Sequence, residues 1–312
     1  MADLEQYRRE LTGYCYRMLG SPFDADDAVQ EAMVRAWKGI DSFEGRSSMR
    51  SWLYRIATNV CLDMLRSSQR RASPMDMGPA SATDAFTGAT LPDHTWIQPM
   101  PDARVLPETS DPAELAASKE TVRLAFVAAL QCLPARQRAV LILREVLRWQ
   151  AAEVAELLET SVASVNSALQ RARATMSARD ADASVTDVAT GDQRELLARY
   201  VDAFERYDIA SLVSLLHEEA VMTMPPFDFW LRGSAEMARF FVGPGSECRD
   251  SRLLATSANG CPAFGQYHPD GQGGRAPWAL QVIEISGDKI TGHHNFIGPQ
   301  MFEAFGFPAR LD

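Results

Sequence analysis

The sequence predicts two all-helical segments followed by an α+β domain. Three observations carry that reading. Apolar residues recur at helical spacing over residues 4–66 and again over 112–178. A proline-rich, acidic stretch with no sustained period, 73–112, separates the two. After a second polar break at 177–192, two helical patterns give way to strand-like runs. At 312 residues the chain also exceeds one ordinary core, so two or three domains are expected.

Taken in order, Leu4, Leu11, Tyr14, Met18 and Leu19 recur at helical spacing, and Ser21-Pro22 ends that first helix. Asp24 is placed to cap a second helix over 26–37, whose acidic first turn suits the helix dipole. Its apolar stripe is Ala28, Val29, Ala32, Ala36 and Trp37. A loop containing Gly45 leads to a third helix from about 49 to 66. The stretch 73–112 holds seven prolines and reads as a linker. From Pro112 the helical period runs to Ala178 without a glycine. Within it, EVAELLETSVASVNSALQRARA (153–174) has the shape of a helix-turn-helix. Val154, Ala155, Leu157 and Leu158 bury one helix, and Val162, Val165 and Leu169 the next. Glu159 stands where such a turn often carries glycine, a mild strain if that position is left-handed. Helices are expected over 193–207 and 209–217, the latter capped by Asp208. Strands are expected over 221–224, 253–258, 276–285 and 289–297, with Ser286-Gly287-Asp288 as a hairpin turn. No internal repeat is visible.

Hydrophobic content of 46% and charged content of 23% belong to a soluble globular protein. No run approaches the ~18 apolar residues that span a bilayer, and no membrane partner is expected. The N-terminus is charged from its third residue and offers no signal-peptide core. Cys15, Cys61, Cys132, Cys248 and Cys261 are an odd, scattered set without a CxxC pair. Reduced thiols in a cytoplasm, and no metal site, follow. The formal charge is -10, but it is unevenly spread: +1 over 1–72, -6 over 73–118, +4 over 119–179 and -9 over 180–312. Nucleic-acid binding depends on the local basic face, so the overall sign does not exclude it.

Ser161, Ser164, Ser167, Gln170, Arg171 and Arg173 face away from the buried stripe of the helix-turn-helix. Hydroxyls and an amide can bond base edges, and arginines suit phosphate or guanine. A helical hairpin with a solvated polar face shows the same pattern. Upstream, Phe43, Arg46, Ser47, Ser48, Trp52, Arg55 and Asn59 gather aromatic, cationic and hydrogen-bonding groups around one loop and helix. Melted DNA needs that mixture, because an extruded base stacks on a ring while cations hold the backbone. Phe43 and Trp52 suit a plain core equally well. Arg66, Arg70 and Arg71 suit flanking duplex phosphates. Asp26, Asp27, Gln30 and Glu31 set a mostly acidic face beside Trp37, a cluster that favours its own helix dipole in any case.

DADDAVQEAMVRAW (24–37) followed by FEGRSSMRSWLYRIATNVCLDMLRSSQRR (43–71) resembles region two of the bacterial sigma factors, and is similar to their extracytoplasmic-function group. LPARQRAVLILREVLRWQAAEVAELLETSVASVNSALQRARA (133–174) resembles region four of the same group. The resemblance implies core RNA polymerase and promoter DNA as partners. Asp26, Asp27, Gln30, Glu31 and Trp37 are then the polymerase-docking surface. The loop and helix from Phe43 to Asn59, with Arg66, Arg70 and Arg71, read and open the -10 element. The helix beginning near Val162 reads the -35 element, although Ala168 stands where many relatives carry arginine. TWIQPMPD (95–102) resembles a tryptophan-proline signature of sigma factors with an extra C-terminal domain, and implies a segment that threads polymerase.

That extra domain resembles the SnoaL-like branch of the cone-shaped α+β fold. The likeness rests on LLARYVDAFERYDIASLVSLLHEEAVMTMPP, WLRG and the paired strands ending near Ile297. It implies a pocket and a possible small-molecule ligand. His294 could line that pocket, or be a buried, hydrogen-bonded histidine. In DGQGGR (270–275), Asp270 and Arg275 suit a pocket or interdomain contact, with Arg275 facing an acidic partner; an ordinary hairpin loop is the alternative.

The expected organisation is therefore region two over 1–72, an acidic linker over 73–117, region four over 118–178, a linker over 179–192 and a SnoaL-like regulatory domain over 193–312. The expected function is an alternative sigma factor regulated in cis, with no catalysis and no cofactor. A small-molecule isomerase or cyclase fused to a DNA tether, or a ligand-responsive regulator, is the competing reading.

Overall fold

A computed structural model describes residues 4–43, 45, 47–67, 70–109, 111–180 and 192–312. The chain divides into two compact units. One is Met1–Arg71 with Asp102–Ala183; the other is Ala72–Pro101 with Ser184–Asp312. No helix among the described residues is long and apolar enough to cross a membrane.

In the helical unit, α1 (Arg8–Leu19) buries Leu11, Tyr14, Cys15 and Met18. It stops at Gly20, whose φ of 74° lets its N–H turn back to the Tyr16 carbonyl. The next helix, α2, spans Pro22–Gly39 and starts earlier than expected. Its cap is Ser21, whose hydroxyl accepts the Asp24 N–H, so Asp24 lies in the first turn. The proline at the first helical position explains the shift, since its missing N–H and fixed φ suit a helix start. The stripe on α2 buries Ala25, Ala28, Val29, Ala32 and Ala36, but Trp37 leaves it and is 69% exposed. Ser48 caps α3 (Met49–Ser67) by accepting the Ser51 N–H at 3.0 Å. Tyr14 bonds Thr58 of α3 at 2.8 Å and meets Tyr54 edge-on, which closes the three-helix core.

After α4 (Asp102–Val105), Asp111 caps α5 (Pro112–Glu120). Then follow α6 (Leu124–Gln131), α7 (Ala135–Leu141), a π-helical turn (Ile142–Val146), α8 (Ala151–Leu157) and α9 (Val162–Asp180). Two buried arginines tie these helices to α1. Arg17 donates to the Thr121 carbonyl at 3.0 Å and hydroxyl at 2.7 Å. Arg138 donates to Met18 O, Gln131 Oε1 and O, and Leu133 O. All of these acceptors are neutral, and burial lowers both guanidinium pKa values to about 10. Trp149 packs on Tyr54, with the Arg50 guanidinium over both rings.

The second unit is a six-stranded sheet under helices. Its helices are α10 (Asp192–Glu205), α11 (Ile209–Ser214) and α12 (Ser234–Val242), with α13 (Gln300–Ala304) after the last strand. Asp208 caps α11, as its position suggests, but the chain turns extended by Leu216 and not after His217. The strands are β1 (Leu216–Thr223), β2 (Trp230–Arg232), β3 (Arg252–Ala258), β4 (Cys261–Pro269), β5 (Arg275–Ser286) and β6 (Lys289–Ile297). They lie in the order β2-β1-β6-β5-β4-β3, with β1 and β6 parallel and every other pair antiparallel. Tyr200 and Phe204 of α10 and Met237, Phe240 and Phe241 of α12 pack on Met222, Phe264, Ile283 and Ile285 of the sheet.

Residues 72–101 depart from the linker expectation, because they are part of this second unit. Ser81 N–H bonds Trp230 O, and the Trp230 indole returns to Gly78 O at 3.0 Å. Thr83 bonds Glu236, and Leu91 N–H bonds Pro226 O. Phe86 sits edge-on to Phe227, Phe229 and Phe240. Trp96, Ile97 and Met100 are buried, and Met100 exchanges two hydrogen bonds with Asn259. Each apolar residue fills its own site, which is why no period marks them.

Arg138→Met keeps the volume but leaves its carbonyl partners buried without donors. It is expected to destabilise the helical unit by about 3 kcal/mol, read as a lower urea midpoint for loss of helical circular dichroism.

Candidate nucleic-acid interface

Capping and amphipathicity build the helix-turn-helix. A capping box joins Gln150 and Glu153 at the start of α8, with Glu153 accepting the Gln150 N–H at 2.6 Å. The helix ends through Leu158 N–H to Val154 O and Thr160 N–H to Ala155 O. Between them Glu159 takes φ of 51°, the left-handed conformation that its place in the turn suggested. Ser161 then caps α9, accepting the Ser164 N–H at 3.1 Å. Val165, Leu169, Ala172 and Met176 bury the inner face of α9.

Ser161, Ser164, Ser167, Gln170, Arg171 and Arg173 are all exposed. Arg173 pairs with Glu145 at 2.5 Å. Val162 was expected in the buried stripe but is 43% exposed. It precedes the first inward turn, so its side chain lies on the outer face with Asn166 and Gln170 at four-residue spacing. Asn166 is the residue that pattern reading missed: its exposed amide sits mid-face, and an amide can bond adenine through two atoms.

On α2, Asp26, Asp27, Gln30 and Glu31 are exposed, with Val34 40% and Trp37 69% exposed along the same flank. Asp26 pairs with Arg104, and Glu31 with Arg35. This flank thus sets an exposed indole and an exposed valine beside four polar or acidic side chains. Phe43 and Trp52 are half-buried and pack together, ring centroids 5.1 Å apart. Each is therefore partly core and partly accessible. Ser47 is half-buried, and Ser48 and Asn59 are exposed. Arg46 lies outside the described residues.

The cations divide by engagement. Arg55 is 3.6 Å from Glu156 of α8, and exposed Arg66 pairs with Asp63 at 3.0 Å. Arg70 is exposed and donates to the Cys132 thiol at 2.5 Å. Arg71 is buried against Asp24 at 2.7 Å, so it serves the fold before any phosphate.

In the sheet unit His294, expected either to line a pocket or to be a buried, hydrogen-bonded histidine, is 6% exposed and bonds Thr223. Its neighbour His293 is the one under the helices. Paired residues of adjacent strands share a face, and His293 stands opposite Ile283 on the helix-covered side. His294 points to the other face, 2.9 Å from the Thr223 hydroxyl and 3.6 Å from Glu284. A side chain at Gly292 would collide with both Glu284 and His294, so glycine makes room for that pair. Around His293 the hydrogen bonds close on themselves. Its Nε2–H donates to Tyr200 Oη, Tyr200 donates to Gln281, and Asn295 Nδ2 donates to its Nδ1. Gln281 continues to Gln266, which reaches Ser251 and His268. This proton inventory needs a neutral imidazole, and burial holds the His293 pKa at about 3. The ladder contains no carboxylate and supplies no acid/base pair. Among the described residues no group of His, Cys, Asp and Glu could hold a metal.

Asp270 accepts the N–H groups of Gln272 and Gly274 and pairs with Arg310 at 2.7 Å, which pulls its pKa down to about 2. Arg275 was expected to meet an acidic partner, but its Nε donates to the Asp250 carbonyl at 3.2 Å. Its backbone pairs with Leu311. The acid nearest in sequence is claimed by an arginine forty positions away, which no local pattern reveals.

Residues 4–71 match Sigma-70 region 2, residues 123–176 match Sigma-70 region 4, and residues 197–293 match the SnoaL-like domain. The chain is 42% identical to the ECF RNA polymerase sigma factor SigG of Mycobacterium tuberculosis, over 99% of its own length and 84% of that protein. It is 31% identical to the ECF RNA polymerase sigma factor SigW of Bacillus subtilis, over 54% of its length and 81% of the relative. The crystal structure of M. tuberculosis extracytoplasmic function sigma factor SigJ shares the fold, with a TM-score of 0.63 at 24% identity over 99% of both chains.

Two outcomes follow from this geometry. Glu159→Gly removes a left-handed non-glycine residue and should raise the stability of the helical unit by about 1 kcal/mol in urea unfolding. Because unfolded histidine takes up a proton near pH 6.5 and folded His293 only near pH 3, unfolding binds a proton between those values. Stability of the sheet unit is therefore complete above pH 6.5 and falls on acidification by up to ~1.4 kcal/mol per pH unit. Urea midpoints at pH 7 and pH 5 measure this, and His293→Gln should lessen the difference.

Proposed function

Because the chain belongs to the extracytoplasmic-function (ECF) group of RNA polymerase sigma factors, we infer that it brings core polymerase to two-part promoters and nucleates strand opening. The observation that carries this reading is the pairing, in one chain, of an exposed acid-and-tryptophan face on α2 with an exposed hydroxyl-and-amide face on α9. The α2 face, centred on Trp37, docks on polymerase. Ser164, Ser167, Gln170 and Arg171, together with Asn166, read the -35 element from the major groove. Phe43 and Trp52 supply ring surface for a base extruded from the -10 element, with Arg55, Arg66 and Arg70 on the backbone. The chain acts in the cytoplasm, where core polymerase works, and performs no covalent chemistry.

The sheet unit regulates in cis. Support comes from residues 72–101, the segment joining the two sigma regions, which is folded into that unit and is not a loose tether. Any rearrangement of the unit alters the tether. The competing reading, an isomerase or cyclase, would need an acid/base pair, and the polar groups beneath α10 and α12 satisfy one another instead.

Reconstitution with core polymerase and mapping of transcript starts tests the main reading. Arg171→Ala should weaken -35 duplex binding about tenfold, and unchanged affinity would remove α9 from that role. For the regulatory unit, a chain ending at residue 180 needs W96S, I97S and M100S to avoid exposing apolar side chains. Its promoter output in a purified system should differ from that of the unaltered full chain; equal output rules out control in cis.

A further inference from the structure

We propose that the helical unit holds a binding site for a phosphorylated small molecule, in the cavity between the α1–α3 segment and the α6–α7 junction. The cavity measures about 340 Å³ and is lined on one side by Leu19, Asp24 and Arg70 and on the other by Gln131, Leu133 and Arg138. That volume lies in the range of small-molecule sites.

Its charge is unbalanced. Arg70, Arg71 and Arg138 line the cavity with a single carboxylate, Asp24. Asp24 is already committed to Arg71, at 2.7 Å and 3.1 Å. Arg138 is 4% exposed, bonds only neutral oxygens through its terminal nitrogens, and has a buried Nε without a hydrogen-bond partner. Arg70 stands close enough that its charge disfavours that of Arg138. Two guanidinium groups thus converge on a concave space with no counter-charge of their own. A phosphate dianion supplies it, taking hydrogen bonds from Arg70 and attracted by the unscreened charge of Arg138, whose four terminal N–H groups are already bonded.

The remaining wall separates a small phosphate ester from other anions. Met64, Leu65, Pro134 and Ala135 are apolar and give a base or sugar something to rest on. Arg138 is 4% exposed, so a ligand must enter the cavity to approach it. A ligand here would touch both helical segments at once and hold them together. The site does not rest on promoter recognition, and binding to the chain alone reads it.

Calorimetric titration of the full-length chain with adenosine monophosphate, inorganic phosphate and adenosine tests the proposal. The monophosphate should bind saturably at one site, inorganic phosphate more weakly, and adenosine not at all. Binding of inorganic phosphate but not the nucleotide overturns the proposal, because the apolar wall would then hold nothing. Arg70→Ala, on the surface, should weaken binding at least tenfold, and Ala135→Trp, which fills the cavity, should abolish it, each with unchanged circular dichroism. No binding of either phosphate at millimolar concentration overturns the proposal, as does adenosine binding as tightly as its monophosphate. Affinity unaffected by both variants does the same, and so does an Arg70→Ala variant that loses duplex affinity while no nucleotide binds.

Discussion

A buried guanidinium must recover from the protein the hydrogen bonds it loses from water, and that requirement organises the helical unit. Arg17 recovers them from Thr121, and Arg138 from Met18, Gln131 and Leu133. Both bridge stretches of chain more than a hundred residues apart. Because the acceptors are carbonyls, a hydroxyl and an amide, the join is directional. Removing either guanidinium would leave those acceptors buried without donors, which is costly.

Helices were legible where an apolar stripe or a cap marks them, as in α1 to α3, α10 and α11. The α5 helix buries no residue and α6 is apolar nearly all round, so neither stood out. Asp208 and the Glu159 turn stand where their chemistry places them, whereas α1 ends at Gly20 and the expected stop, Ser21-Pro22, begins α2. The strands were legible only where alternation or a hairpin marked them. β4, CPAFGQYHP, is buried along most of its length and carries proline, glycine and a glutamine that bonds within the core, so it shows no two-residue rhythm. β2 has three residues and no room for a pattern. The segment 72–101 failed for a related reason: it packs by separate anchors, Phe86 and Trp96 among them, and not by a face.

Site residues were legible by type and much less by role. The polar outer face of α9 followed from its inner stripe, yet one turn of that stripe was misjudged at Val162. Arg71 reads as a phosphate ligand until Asp24, forty-seven residues earlier, is seen to hold it. His293 and His294 are adjacent and chemically identical, and only the register of β6 against β5 separates the one under the helices from the one behind the sheet. Pairwise claims between distant residues are what a linear pattern cannot contain.

The chain passes between its two units three times, after Arg71, after Pro101 and after Ala183. A single cut in 181–191 would therefore not set the fragments free, because the larger piece keeps a strap built into the smaller one's fold. Such a nicked molecule should behave as a split protein whose halves remain associated. Control by proteolytic shedding, open to regulators attached through one connection, is closed to this architecture.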